Sequence, residues 1–207
     1  MGKVLFKPGT MLNPVPVVLV SCGAVPEKWN LITVAWTGII NSEPPMAYIS
    51  VRKSRHSHAI ISEEGEFVIN LTTEKLVKQT DYCGVKSGRD VDKFKEMALT
   101  PIKGEIVKCP LVEESPVNLE CKVKEILSFP SHDMFLAEIV AVHAEDSLIN
   151  EKGRFQLEKA GLICYSHGEY FGIGKKPLGS FGYSIMKKKT QKRRNLEKAA
   201  SKYQKRR

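Results

Sequence analysis

Residues 30–70 read NLITVAWTGIINSEPPMAYISVRKSRHSHAIISEEGEFVIN, and the order of elements in this stretch decides the fold. Leu31 to Trp36 is rich in β-branched and aromatic residues, which predicts a strand. Asn41-Ser42-Glu43-Pro44-Pro45 cannot continue it, because two prolines remove ladder donors and fix φ. Met46 to Val51 resumes as a second strand. Ser54 is placed to cap a helix through Arg55 to Glu63, with Gly65 as its stop. Phe67 to Asn70 gives a third short strand.

The polar chemistry sits where the second strand runs into the helix. Arg52, Lys53, Ser54, Arg55, His56, Ser57 and His58 cluster at that corner. The first N–H groups of a helix lack internal partners and carry partial positive charge. Hydroxyls and cations beside them suit a phosphate. A solvated turn with a capping serine fits the same pattern equally well.

Upstream, Met1 to Pro14 is a leader broken by Pro8, Gly9 and Pro14, and Val15 to Cys22 is an apolar run of strand length. Gly23 to Lys28 is a turn. Downstream, Thr73 is placed to cap a helix from Lys75 to about Tyr82, stopped by Cys83-Gly84. Val85 to Asp90 is a polar loop, and Asp90 can cap a short helix holding Lys93, Phe94 and Met97. Lys93 then lies in a first turn, where the helix dipole disfavours a cation and an anionic partner would relieve it. Beyond Pro101 the pattern turns to β, with Glu105–Lys108, Val117–Phe129 and Met134–Ala144 as strands. Pro130-Ser131-His132-Asp133 reads as the turn between the last two, with His132 at its tip. His143 alternates with apolar neighbours and reads as structural. Many short strands with few helices predict an antiparallel barrel.

The 207 residues suffice for one sizeable domain. The net charge of +9 is misleading. Residues 187–207 carry eleven Lys/Arg and one acid, whereas residues 1–186 carry 21 basic and 22 acidic residues. The body is near neutral and the basicity belongs to a tail. Its Asn195–Tyr203 segment has helix formers but few apolar residues. The tail reads as solvated, or as a docking segment for an anionic partner such as RNA or an acidic membrane surface.

Five cysteines, Cys22, Cys83, Cys109, Cys121 and Cys164, form no C-x-x-C pair. They read as reduced, mostly buried thiols, which with the absence of a signal peptide or a bilayer-length apolar run points to the cytoplasm. Gly172-Ile173-Gly174 with Gly179 has the wrong spacing for a dinucleotide fingerprint. His56 and His58, two residues apart on a helix, diverge by about 200° and are not a metal pair.

Four ordered blocks carry a resemblance. They are ITVAWTGIINSEPPMAYISVRKSRHSHAII with GEFVINL, Tyr82-Cys83-Gly84 with Ser87-Gly88-Arg89-Asp90-Val91-Asp92-Lys93-Phe94, Pro116–Cys121, and Gly168-Glu169-Tyr170 through Leu178-Gly179-Ser180-Phe181-Gly182. Together they resemble the flavin reductase-like family, in its flavoredoxin-like branch, over roughly residues 8–186. The resemblance implies a mainly β domain over residues 1–186, a six-stranded antiparallel Greek-key split barrel with flanking helices that binds FMN. It implies a homodimer with FMN at the interface and Glu169–Gly182 wrapping the partner subunit.

The implied chemistry is two-electron transfer from NADH or NADPH to FMN and onward to free flavin or a redox partner protein. The alternative is a non-enzymatic FMN electron carrier. By the same resemblance, Arg52, Ser54, Ser57 and His58 hold the phosphate end. Asn30, Val34, Ala35, Trp36 and Thr37 follow the ring edge, with Ser50 and Asn70 as further contacts and Lys93 near the polar face. Tyr165 and His132 shape the ring environment, with His132 the candidate proton donor. From pattern alone, Trp36 reads rather as a core tryptophan. Lys93 could be a solvated surface lysine and His132 an exposed turn histidine.

Overall fold

A computed structural model describes residues 2–174, 176–187 and 190. Residues 1–173 form one unit and residues 174–207 a second. Within the second, Tyr183–Ile185 makes a single 3-10 turn. The expected basic tail, including the Asn195–Tyr203 segment, lies outside the described residues, apart from Lys187 and Thr190.

The first unit begins with β1 (Val15–Pro16) and β2 (Val18–Cys22). The central stretch follows as β3 (Asn30–Val34), β4 (Thr37–Ser42), β5 (Pro45–Arg52), α1 (His56–Glu64) and β6 (Glu66–Leu71). Next come α2 (Val77–Val85), α3 (Lys93–Glu96), β7 (Pro101–Ile102) and β8 (Leu111–Val112). The long strands β9 (Val117–Ser128) and β10 (His132–Ala144) precede β11 (Ile163–Ser166) and β12 (Glu169–Gly172).

Seven strands make the main sheet, in the order β3-β2-β6-β9-β10-β5-β4, and every pairing in it is antiparallel. Its two edges are β3 and β4, yet only Ala35 and Trp36 separate them in the chain. A sheet whose opposite edges are joined by two residues must curl until those edges meet. No ladder joins β3 to β4, so the barrel stays split along this seam. The architecture is thus the expected antiparallel split barrel, with seven strands in the main sheet rather than six. Side sheets β1-β11-β12 and β7-β8 complete it.

Alternation along each strand divides the core. Val18, Val20 and Cys22 of β2 join Ile32, Val34, Ile49, Val51, Phe67, Ile69, Cys121 and Phe135 inside the barrel, where Ile60 and Ile61 of α1 also pack. Leu19 and Leu31 face the other way, into a layer with Leu76, Cys83, Phe94 and Leu99 beneath α2 and α3. All five cysteines are free, and all but Cys164 are buried.

Several expected boundaries shift, each for a local reason. The proline turn shrinks to Glu43-Pro44, because Pro45 opens β5 opposite Ser42, a strand-start position that needs no ladder donor. Arg55, not Ser54, is the N-cap of α1, and it makes no side-chain cap bond. The helix does end at Gly65, in the left-handed region at φ 68°. Thr73 makes no cap bond either, and α2 continues through Cys83-Gly84 to Val85. Gly84 serves packing rather than stopping: a Cβ there would lie 3.2 Å from Thr33 Cβ, so the glycine lets α2 approach β3. The short helix is capped by Asp92, whose carboxylate accepts from Lys95 N–H, not by Asp90. Val15–Cys22 splits between two sheets, and Glu169–Gly172 pairs with β11 of its own chain.

Glu105–Lys108 forms no strand. Its amides converge on the fully buried Glu120: Glu105 N–H donates at 2.8 Å, and Ile106 and Val107 N–H at 2.7 Å. His143 Nε2 meets the same carboxylate at 2.5 Å, which gives it the structural role expected.

Candidate functional site

The split between β3 and β4 opens into a cleft with two lobes. Each lobe has a volume of about 460 Å³. They share Ile32, Arg52 and Arg55 and are therefore neighbours. One wall comes from the β3–β4 corner, another from the end of β5 and the start of α1, and a third from the end of α2 and the loop after it.

The first lobe carries flat groups beside polar and charged ones, with Arg52, Arg55 and Asp81 also in its lining. Val34, Ala35 and Trp36 come from the β3–β4 corner, Ser50 from β5, His132 from β10 and Tyr165 from β11. Trp36 is not a core tryptophan: it is 42% exposed and lies against His132, with ring centroids 4.6 Å apart. His132 is not at the tip of the turn but is the first residue of β10, directly opposite Arg52 of β5. Burial, and then the neighbouring Arg52 charge, hold its pKa below the ordinary imidazole value. Ser131 Oγ lies 2.8 Å from its Nδ1. Tyr165 meets Tyr170 edge-on at 5.5 Å, and the Tyr170 hydroxyl donates to Asp81 Oδ1 at 3.2 Å. Burial, then the Asp81 charge, push the Tyr170 phenol up to about 12.

The second lobe is polar and basic. Asn30, Arg52, Ser54, Arg55, His56 and Ser57 line one side, and Lys86 to Arg89 with Lys93 the other. No carboxylate lines this lobe. Asn30 Nδ2 donates to Ser57 Oγ at 2.7 Å, and Ser57 is also hydrogen-bonded to the Cys22 thiol. Lys93 is buried, not a solvated surface lysine. Its ammonium donates to Leu31 O at 2.6 Å and to Cys83 O at 2.8 Å. Burial pulls its pKa below the usual lysine value. Cys83 also lines the lobe, but burial pushes its thiol up to about 11, so it stays protonated and is no nucleophile. Gly88 is held over the lobe so closely that a Cβ would sit 2.1 Å from Asn30 Oδ1.

Asn30, Val34, Ala35, Trp36, Ser50, Arg52, Ser54, Ser57, Lys93, His132 and Tyr165 thus line the two adjoining lobes. Three expected residues do not line them. His58 follows Ser57 by about 100° around the helix. Its Nε2 meets Asp133 Oδ2 at 2.8 Å, and its ring packs edge-on against Phe135. Thr37 is buried, with its hydroxyl donating to Tyr48 O at 2.7 Å. Asn70 is fully buried and ties elements together. Its amide donates to Leu19 O and Ser21 Oγ, and its carbonyl accepts from Val112 N–H and Asn118 Nδ2.

Other lining residues were not anticipated. Arg55 and Arg89 stand inside the quoted motifs, so their charge was a visible signal. Asp81 and Tyr170 are 89 residues apart and carried none. Among the described residues, no group of three or more His, Cys, Asp or Glu is arranged to hold a metal, and no helix is long and apolar enough to cross a membrane.

The family model described as flavin reductase like domain matches residues 10–174. Among solved structures, the flavoredoxin of Desulfovibrio vulgaris (Miyazaki F) is 31% identical with a TM-score of 0.81, covering 89% of this chain and 100% of that one. The flavoredoxin from Methanosarcina acetivorans is 32% identical with a TM-score of 0.80, covering 90% of this chain and 100% of that one. An uncharacterized protein of Archaeoglobus fulgidus is 31% identical over 141 residues, which is 68% of this chain and 78% of that protein.

Proposed function

The chain belongs to the flavin reductase-like family, and on that premise we propose that its cleft binds FMN and passes electrons from NADH or NADPH through it to an acceptor. One observation carries this reading. A basic, hydroxyl-bearing lobe without a carboxylate adjoins a lobe walled by Trp36, Val34 and Tyr165. That pairing complements a ligand with an anionic tail and a flat aromatic head.

In this reading Arg52, Ser54 and Ser57 bind the phosphate. Asn30 orients Ser57 through its amide. Val34, Ala35, Trp36 and Ser50 border the ring, and Tyr165 closes its far side. Lys93 holds a fixed positive charge near the polar face, anchored by its two carbonyl acceptors. FMN, when bound, would supply the two-electron chemistry itself, so no side-chain nucleophile is needed. His132 would move a proton at its imidazole. The chain is proposed to act as a homodimer, with free flavin or a redox protein as acceptor. The exposed Leu5, Phe6 and Leu12 support an association of copies.

A carrier role is the second reading, favoured by the flavoredoxin name of the two similar structures. Visible absorption of FMN-reconstituted protein separates the two. Prompt anaerobic bleaching by NADH or NADPH is the expected result for the reductase. Bands that persist with both nicotinamides but bleach with dithionite belong to the carrier. No flavin bands after reconstitution would overturn both.

Every residue assigned to FMN lies before residue 174. Deleting residues 187–207 is therefore expected to leave FMN affinity unchanged in a fluorescence titration. Loss of binding on truncation would mean that the tail completes the site. An anionic partner for the tail is proposed separately and would be lost in the same variant.

A further inference from the structure

Among the described residues, Lys93 is the one buried lysine, at 4% exposure, yet it lines the polar lobe. Its two hydrogen-bond acceptors are neutral backbone carbonyls, Leu31 O at 2.6 Å and Cys83 O at 2.8 Å. It enters none of the ion pairs found among the described residues. A buried ammonium is costly unless an opposite charge meets it. Burial accordingly pulls its pKa below the usual lysine value, with the Cys83 and Cys22 thiols opposing the shift and Arg55 adding to it.

The geometry suits the neutral amine as well as the ammonium. An ammonium has three N–H groups, and the two carbonyls take two of them. Loss of the third proton leaves both hydrogen bonds in place and puts a lone pair at the remaining tetrahedral position. The neutral amine is the nucleophilic form of lysine, and a desolvated lysine beside other cations reaches it nearer neutral pH. The same lobe offers the cations Arg52, Arg55 and Arg89 and the hydroxyls of Ser54 and Ser57, with no carboxylate. These groups hold an anion without competing for the amine. The lobe's volume of about 460 Å³ is that of a small-molecule site.

We propose that Lys93 is a carbonyl-reactive amine, which in flavin-free protein forms an imine with a phosphate-bearing aldehyde held by Arg52, Ser54 and Ser57. The ammonium first gives one proton to solvent. Its nitrogen then adds to the aldehyde carbon. The carbonyl oxygen leaves as water with the two remaining amine protons, so that a C=N bond replaces the C=O bond. No oxidant or reductant is consumed. Once protonated, the imine keeps one N–H for one of the two backbone carbonyls. The proposal goes beyond the FMN reading but shares its phosphate corner. An FMN phosphate there excludes the aldehyde and favours the charged form of Lys93, as a nearby anion does. Lys93 is then a fixed charge when flavin is bound and a nucleophile when it is not.

The test incubates flavin-free, full-length protein with pyridoxal phosphate, fixes the imine with borohydride and maps it by peptide mass spectrometry. The adduct is expected on Lys93 ahead of every exposed lysine. Pyridoxal, which lacks the phosphate, should label Lys93 about tenfold less at equal concentration, as loss of a charge-assisted anion contact predicts. Saturating FMN should suppress the label on Lys93 and leave that on exposed lysines unchanged. The mapping uses the wild type, so no variant's folding enters the result. The proposal is overturned if the label spreads over exposed lysines without preference for Lys93, or falls instead on Lys86, which is exposed in the same lobe. It is overturned equally if pyridoxal labels Lys93 as well as its phosphate does, or if the label on Lys93 persists under bound FMN. Calorimetry of FMN with the same preparation keeps the two readings apart. A Lys93 label without FMN binding brings down the FMN reading alone, and FMN binding without the label brings down this proposal alone.

Discussion

Glu120→Ala is expected to lower the free energy of unfolding by about 3–5 kcal/mol, the usual cost of removing one partner from a buried charged network. Glu120 is fully buried, and its carboxylate accepts from the amides of Glu105, Ile106 and Val107 and meets His143 Nε2. Without it, three backbone donors lose their acceptor and the loop from Gly104 to Lys108 loses its anchor on β9. Urea denaturation of the wild type and the variant measures the loss. A difference below about 1 kcal/mol would show that water replaces the carboxylate at little cost.

The same network gives the stability a direction in pH. Burial by itself raises the pKa of Glu120, but hydrogen bonds from Val107, Glu105, His143 and Ile106 overcome it and hold the carboxyl below its ordinary value. Asp133 is likewise depressed: burial opposes the shift, but Ser128, His58 and Lys53 outweigh it. A carboxyl depressed in the fold stabilises it fully only well above its unfolded pKa of about 4. That contribution fades as the pH falls through the folded values. Stability should therefore drop below about pH 4–5, and Glu120→Ala should flatten that acid limb. An acid limb as steep as that of the wild type would remove Glu120 as its source.

Arg52→Ala is expected to weaken FMN binding roughly ten- to a hundredfold, from loss of a charge-assisted contact worth about 1.5–3 kcal/mol. Arg52 lines both lobes and has no ion pair among the described residues, so its charge is free to meet a ligand. It is exposed at the end of β5, so the thermal midpoint should hardly change. Flavin fluorescence quenching gives the affinity, and far-ultraviolet circular dichroism checks the fold. Unchanged affinity would remove Arg52 from the phosphate site.

What the sequence by itself determined is local and repetitive. β5, β9 and β10 were legible because β-branched and aromatic residues recur along them. Gly65 marked the end of α1 because only that backbone conformation closes the helix there. The hydroxyls and cations between Arg52 and Ser57 were legible as a candidate anion-binding corner because they lie within one turn of chain. The family followed from the order of four such blocks. Tertiary structure decided everything that depends on distant backbone groups finding partners. Glu105–Lys108 has a strand's composition, but its amides are claimed by Glu120, which gives them an acceptor that no ladder supplies. His58 shares the corner's chemistry, yet helical rotation and Asp133 turn it elsewhere. Asn70 looked like part of the site and instead, from within β6, holds β2, β8 and β9 together. The cleft exists because the barrel's edges, β3 and β4, are tied by two residues while their pairing partners lie at opposite ends of the sheet. Closure of that kind is set by the pairing of all seven strands together, and no single stretch of sequence contains it.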